Sequence, residues 1–168
     1  MHLFDGIHRL LDHGGLVLIA IMVVSIIMWT FIIERYLYLY LIHPRLLKEY
    51  IKEWSERRDH TSWMARSLRE GLIGDISSNL QKNLLLIQTL VTILPLLGLL
   101  GTVTGMISTF EVMMIFGTGN ARGMSSGISQ ALITTAAGLV TSLSGLYFSS
   151  QLQAQAQIEK NRITDLLI

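Results

Sequence analysis

The chain has no cysteine, which excludes disulfides, thiol catalysis and Cys-based metal sites. Proline is scarce too, with only Pro44 and Pro95. Charge is the third shortage. Asp, Glu, Lys and Arg make up 15% of the 168 residues, against about 25% in an average soluble domain. The shortage is concentrated in three stretches, 13–33, 83–110 and 123–158, which hold no Asp, Glu, Lys or Arg at all. A spanning helix needs about 20 mostly apolar residues, and an isolated charge at bilayer depth costs about 3 kcal/mol or more. The sequence therefore reads as an all-α integral membrane protein with three transmembrane helices.

The remaining absences narrow the function. The net charge of +1 gives no reason to expect nucleic acid. His2, His8, His13, His43 and His60 are scattered without metal-ligand spacing. No phosphate-binding glycine loop follows a strand, and Gly98 to Gly105 falls inside a spanning segment. No catalytic residue, metal or cofactor is expected, and the chain does not read as an enzyme. The first apolar run is preceded by Asp5 and Asp12 with only Arg9 as a basic residue, which fits a retained anchor and not a cleaved signal peptide.

Basic residues orient the spans. Nine of the thirteen lie between 34 and 83, and Lys160 and Arg162 lie in the tail, whereas the opposite side has Arg9 and Arg122. This predicts an outside N-terminus. The expected order is a periplasmic amphipathic helix at 1–12, transmembrane helix 1 at 13–33, and a cytoplasmic helical loop at 34–83. Transmembrane helix 2 at 84–116, a periplasmic turn at 117–123, transmembrane helix 3 at 124–150 and a cytoplasmic helical tail at 151–168 complete it. The chain is expected to cross its membrane three times.

Within this order, Leu3, Phe4, Ile7, Leu10 and Leu11 share a helical face suited to a membrane surface, and Gly14-Gly15 separate it from the first span. That span is apolar all round, with Tyr36, Tyr38 and Tyr40 after it as an interfacial belt. Pro44 suits a first helical turn, followed by an apolar face of Leu46, Leu47, Tyr50, Ile51 and Trp54. Trp63, Met64 and Leu68 mark a second short amphipathic piece, and Asp75 is a candidate cap for a helix running on into span 2. From Asp75 to Phe116 is 42 residues, about 60 Å of helix. The third helix is expected from Ser125, at similar length, so both would extend into the cytoplasm.

The spans differ in their polar faces. Gln88, Pro95, Thr102 and Thr109 recur every seven residues, beside Gly98, Gly101, Gly105 and Ser108. In the third span Thr135, Ser142 and Ser149 repeat at seven, as do Ala131, Gly138 and Gly145, with Gln130, Thr134 and Thr141 alongside. Small residues let membrane helices approach, and Thr or Ser can bond back to a carbonyl. Gly98, Gly101, Gly105, Gly138 and Gly145 are thus helix-packing candidates. For the hydroxyls, packing competes with lining a wet or protein-filled cavity. A proton path normally needs Asp, Glu or His at depth. Only Glu111 is offered, near the outer end and near Arg122, which suggests an interfacial ion pair. If protons move here, a partner brings the carboxylate.

Leu94 to Gly105 reads LPLLGLLGTVTG, and Gly127 to Val140 reads GISQALITTAAGLV. These segments resemble the two signatures of the ExbB/TolQ/MotA proton-channel family, most closely the ExbB forms PLLGLLGTVxG and GIxEALxxTAxGLV, over about 70 residues. The short loop suggests a compact ExbB of a TonB system. The resemblance implies a homopentamer around an apolar pore, filled by helices of ExbD, a single-span protein that carries the proton-bearing Asp. Proton motive force would then energise TonB and uptake across the outer membrane. It matches the family's pore threonines to Thr102 and Thr135, and the family's Glu to Gln130, which removes a charge. With the hydroxyl face, the candidate pore or proton-pathway set is Thr102, Thr135, Gln130, Thr109 and Ser142. A TolQ-like envelope motor and a passive scaffold without ion flux remain the alternatives.

Overall fold

The computed structural model describes residues 2–42, 62–117 and 120–166. Its elements are α1 (His2–Leu37), a π-helical turn (Tyr38–Ile42), α2 (Trp63–Gln81), α3 (Leu84–Phe116) and α4 (Ala121–Leu166). No strand occurs among the described residues. Three helical runs are long and apolar enough to cross a membrane: Gly15–Leu41, Arg66–Phe116 and Ala121–Asp165. The apolar face expected from Leu46 to Trp54 and the Pro44 turn lie outside the described residues, and so do the side chains of the first 14 residues.

Each interruption has a local cause. Gly15 breaks α1 at φ 62°, ψ −168°, a backbone state open to glycine and strained for other residues. Between α2 and α3, Asn83 takes φ 63°, which Asn tolerates better than most side chains. Its carbonyl accepts from the Ile87 N–H at 3.0 Å and so starts α3. The expected cap at Asp75 is corrected here: Asp75 sits exposed inside α2, and the break comes eight residues later at Asn83. After α3, Gly117 at φ 72° closes the helix, its N–H donating to the Met113 carbonyl at 2.9 Å. Asn120 then caps α4, with Oδ1 accepting from the Gly123 N–H at 3.1 Å. That cap starts α4 at Ala121, ahead of Ser125.

The chain divides into two units. The first comprises Met1–Trp29 with Gln88–Leu146. There α1 buries a narrow stripe of Leu18, Ile21 and Met28, and α3 and α4 bury Val91, Leu94, Ala131 and Thr134. Leu99, Val103, Ile107, Leu139, Val140 and Leu143 point outward, which suits a helix bundle in lipid.

The second unit comprises Thr30–Ile87 with Tyr147–Ile168. Its core is Ile32, Ile76, Leu80, Leu84, Ile87, Leu152, Ala156 and Ile163, joined by Arg35 at 1% exposure. Arg35 Nη2 donates to the Asn79 carbonyl in the last turn of α2. Its guanidinium lies 4.6 Å from the centre of the Tyr38 ring. Helix ends leave carbonyls without helical donors, so a cation here caps α2. Asn83 Nδ2 donates to Glu34 Oε2 at 3.1 Å. Tyr36 stacks on Tyr40, and its hydroxyl donates to Gln151 Oε1 at 3.1 Å. Trp63, Met64 and Leu68 are exposed along α2.

Candidate functional site

The candidate residues all fall in the first unit, and most of them lie where α3 and α4 face each other. Glycine makes this approach possible. A Cβ on Gly138 would sit 2.7 Å from the Leu94 carbonyl oxygen. One on Gly105 would sit 2.7 Å from Ala131 Cβ and 2.8 Å from the Gly127 carbonyl oxygen, and one on Gly98 3.2 Å from Thr135 Cα. Thr134 fills the space beside Gly101, and Met28 of α1 the space beside Gly145. The two backbones approach closely, which small residues permit.

Hydroxyls close the same seam. Thr135 Oγ1 of α4 donates to the Gly98 carbonyl of α3 at 2.9 Å. Ser142 Oγ donates to the Val91 carbonyl at 2.9 Å. These two rungs are seven residues apart on both helices, as an antiparallel pair in register requires. Thr134, fully buried, bonds back within α4 to the Gln130 and Ala131 carbonyls, each at 3.0 Å. Thr109 is buried against Gly127 and donates to the Gly105 carbonyl at 2.9 Å.

Thr102 is placed differently. It is half-exposed, and its hydroxyl donates to the Leu99 carbonyl of its own helix at 2.6 Å. Thr104 and Ser108 are exposed on the same helix. Thr135 thus points across the seam and Thr102 along α3. A back-bonded hydroxyl keeps its oxygen lone pairs free to accept, and it can rotate to donate elsewhere. Gln130 is half-buried, with Nε2 filling the space beside Gly15 at the break in α1. The seven-residue line of the sequence is therefore split: Gln88 is exposed, Pro95 and Thr102 half-exposed, Thr109 buried.

The expected ion pair between Glu111 and Arg122 is also corrected. Both are exposed, and among the described residues the ion pair formed is Arg162–Glu159 at 3.5 Å. Near the ends of α3 and α4, an exposed pair gains too little from closing to be held in one geometry. Among the described residues no three His, Cys, Asp or Glu cluster to hold a metal ion. The seam between α3 and α4 is built from glycines, hydroxyls and apolar side chains, with Glu111 and Arg122 exposed beyond it.

Two residues outside the seam escaped the sequence reading. Arg35, one of the nine basic residues between 34 and 83, is buried, which no sequence signal marks. Asn83 gave no break signal, because only its backbone conformation marks it.

The profile of the MotA/TolQ/ExbB proton channel family matches residues 40–165, three-quarters of the chain and the whole α3–α4 seam. ExbB-like 3 of Synechocystis sp. is 45% identical over 67 residues, 39% of this chain and 32% of that protein. ExbB-like 1 of the same organism is 50% identical over 64 residues, 36% of this chain and 25% of that protein. Both are named for biopolymer transport. The chain spans a third or less of the length of these relatives.

Proposed function

Because the chain belongs to the MotA/TolQ/ExbB proton channel family, we propose that it is the ExbB-like stator subunit of a proton-driven motor in the bacterial inner membrane. Copies of the chain, five by resemblance, surround helices of an ExbD-like partner. That partner carries the titrating carboxylate, and the assembly energises a TonB-like protein. The 34–83 segment, the start of α3 and the C-terminal part of α4 lie on the cytoplasmic side, where the basic residues draw them. The ExbB-like names of the relatives favour this reading over a TolQ-like one.

One observation carries the proposal. A member of a proton channel family has no carboxylate in its three charge-free stretches, yet presents hydroxyls on the helices that pack there. A charged Asp at that depth needs hydrogen-bond donors or water. Thr102 and Thr135 supply the first and admit the second. Gln130 hydrogen-bonds but does not titrate.

The test is Thr135→Val and Thr102→Val, which keep the shape and remove the hydroxyl. Losing the Thr135 rung costs about 0.6 kcal/mol, the usual worth of such a bond in membranes, so pull-down of the partner should persist. Proton-driven uptake should be abolished. Normal uptake in both variants would return the two threonines to packing and favour a passive scaffold.

A further inference from the structure

Pro95 lies inside α3, which continues through it. Proline has no N–H, so the carbonyl four residues earlier loses its helical donor. That carbonyl belongs to Val91. In a bilayer no water replaces the missing donor, and each unsatisfied backbone group costs several kcal/mol unless a neighbouring helix supplies a partner. The hydroxyl of Ser142, on α4, donates to this same Val91 carbonyl at 2.9 Å. Val91 itself is buried and Ser142 half-buried, so the bond is shielded. Gly138, one turn from Ser142, brings the backbones close enough: a Cβ there would meet the Leu94 carbonyl at 2.7 Å.

We infer that Ser142 is a positioning residue, a latch that completes α3 across Pro95 and thereby fixes where Thr102 stands. It acts through Val91 and does not itself line the proton path. The lever is long enough to matter. Thr102 is seven residues beyond Pro95, about 10 Å along the helix. A kink of about 20°, the onset of a proline kink, would carry it by about 4 Å. That displacement exceeds the reach of a hydrogen bond. The latch rests on the pore role of Thr102 only for its consequence, not for its existence.

A double-mutant cycle separates the two. Pro95→Ala restores an N–H to Val91, so the need for Ser142 disappears. Thermal unfolding of the full chain in lipid nanodiscs reads the latch, and proton-driven uptake reads its consequence. Ser142→Ala should lower the folded-to-unfolded ratio at least fivefold with Pro95 present. In the Pro95→Ala background the same change should have no measurable effect. Ser142→Thr, which keeps the hydroxyl, should retain stability where Ser142→Val does not, and this arm stands if Pro95→Ala fails to fold. Equal effects of Ser142→Ala in both backgrounds, or no effect in either, would overturn the latch. So would Ser142→Thr behaving like Ser142→Val. A cycle that couples in stability while uptake is indifferent to Ser142→Ala would leave the latch and sink the pore role of Thr102.

Discussion

Helix α4 is one continuous helix that packs by two chemistries. In the first unit it offers Gly127, Ala131, Thr134, Thr135, Gly138 and Ser142, and its contacts with α3 are close backbone approach and short hydroxyl-to-carbonyl bonds. In the second unit it offers Tyr147, Phe148, Gln151, Leu152 and Gln155. There the contacts run through long side chains: Phe148 edge-on to Tyr36 of α1 at 6.3 Å, and Gln151 Oε1 accepting from the Tyr36 hydroxyl at 3.1 Å. Charge follows the same division. Between Gly15 and Trp29 and from Gln88 to Leu146 the charged residues are Glu111 and Arg122. The second unit instead buries Arg35. Where no hydrophobic force draws helices together, close approach and short hydroxyl bonds must do so. Where water is near, apolar burial and snorkelling polar ends suffice.

The largest effect should come from filling the seam. At Gly138 a Cβ meets backbone, which cannot swing aside as a side chain does. Gly138→Val should cost about 3 kcal/mol, the upper end of ordinary overpacking, and leave little monodisperse protein after detergent extraction. Gly74→Val provides the contrast, since a Cβ on Gly74 meets nothing within 4 Å. It should change stability by less than about 0.5 kcal/mol, since Val is no worse a helix former than the Gly it replaces. Size-exclusion profiles compare the two. Equal profiles would mean that the seam is not held by backbone approach.

How much of this was legible in the sequence follows the same division. Seven-residue repeats of Gly and Thr put the seam on paper, because a helix face is a property of one chain segment. The partners across the seam were not legible. Thr135 with Gly98 and Ser142 with Val91 depend on the register of two helices, which no single-segment pattern contains. By spacing Pro95 belongs to a polar line, while its consequence falls on Val91, four residues away and apolar. Ser149 continues the line of Thr135 and Ser142, but its hydroxyl is buried without a partner among the described residues. A repeat gives the face and not the bond. The burial of Arg35 is decided by a distant helix end, here that of α2, which no local pattern contains.

Arg35 tests the other half of the comparison. Its Nη2 caps the Asn79 carbonyl, and its Nε has no partner among the described residues. Arg35→Ala would leave an uncapped carbonyl and a void, a loss of about 2–3 kcal/mol. Arg35→Met fills the void and removes a buried charge whose desolvation opposes folding, so it should cost less than Ala. Arg35→Lys keeps the charge but not the planar donor set. Melting midpoints in nanodiscs should rank wild type above Met and Met above Ala. If Ala matches wild type, long side chains do not hold the second unit.

The smallest effect belongs to Asn83, where the two helices α2 and α3 meet. Its cost is conformational. At φ 63° a residue with a Cβ is strained by about 1–2 kcal/mol, less for Asn and nil for Gly. Its side chain also donates to Glu34 at 3.1 Å, in an exposed setting that contributes a few tenths of a kcal/mol. Asn83→Ala loses the bond and takes on the strain, so it should lower stability by about 1 kcal/mol. Asn83→Gly loses the same bond and relieves the strain, so it should be within about 0.5 kcal/mol of wild type. The order of the two separates backbone from side chain. If Gly is as damaging as Ala, the joint is held by the Glu34 bond, and the second unit is still more a structure of side chains than its core suggests.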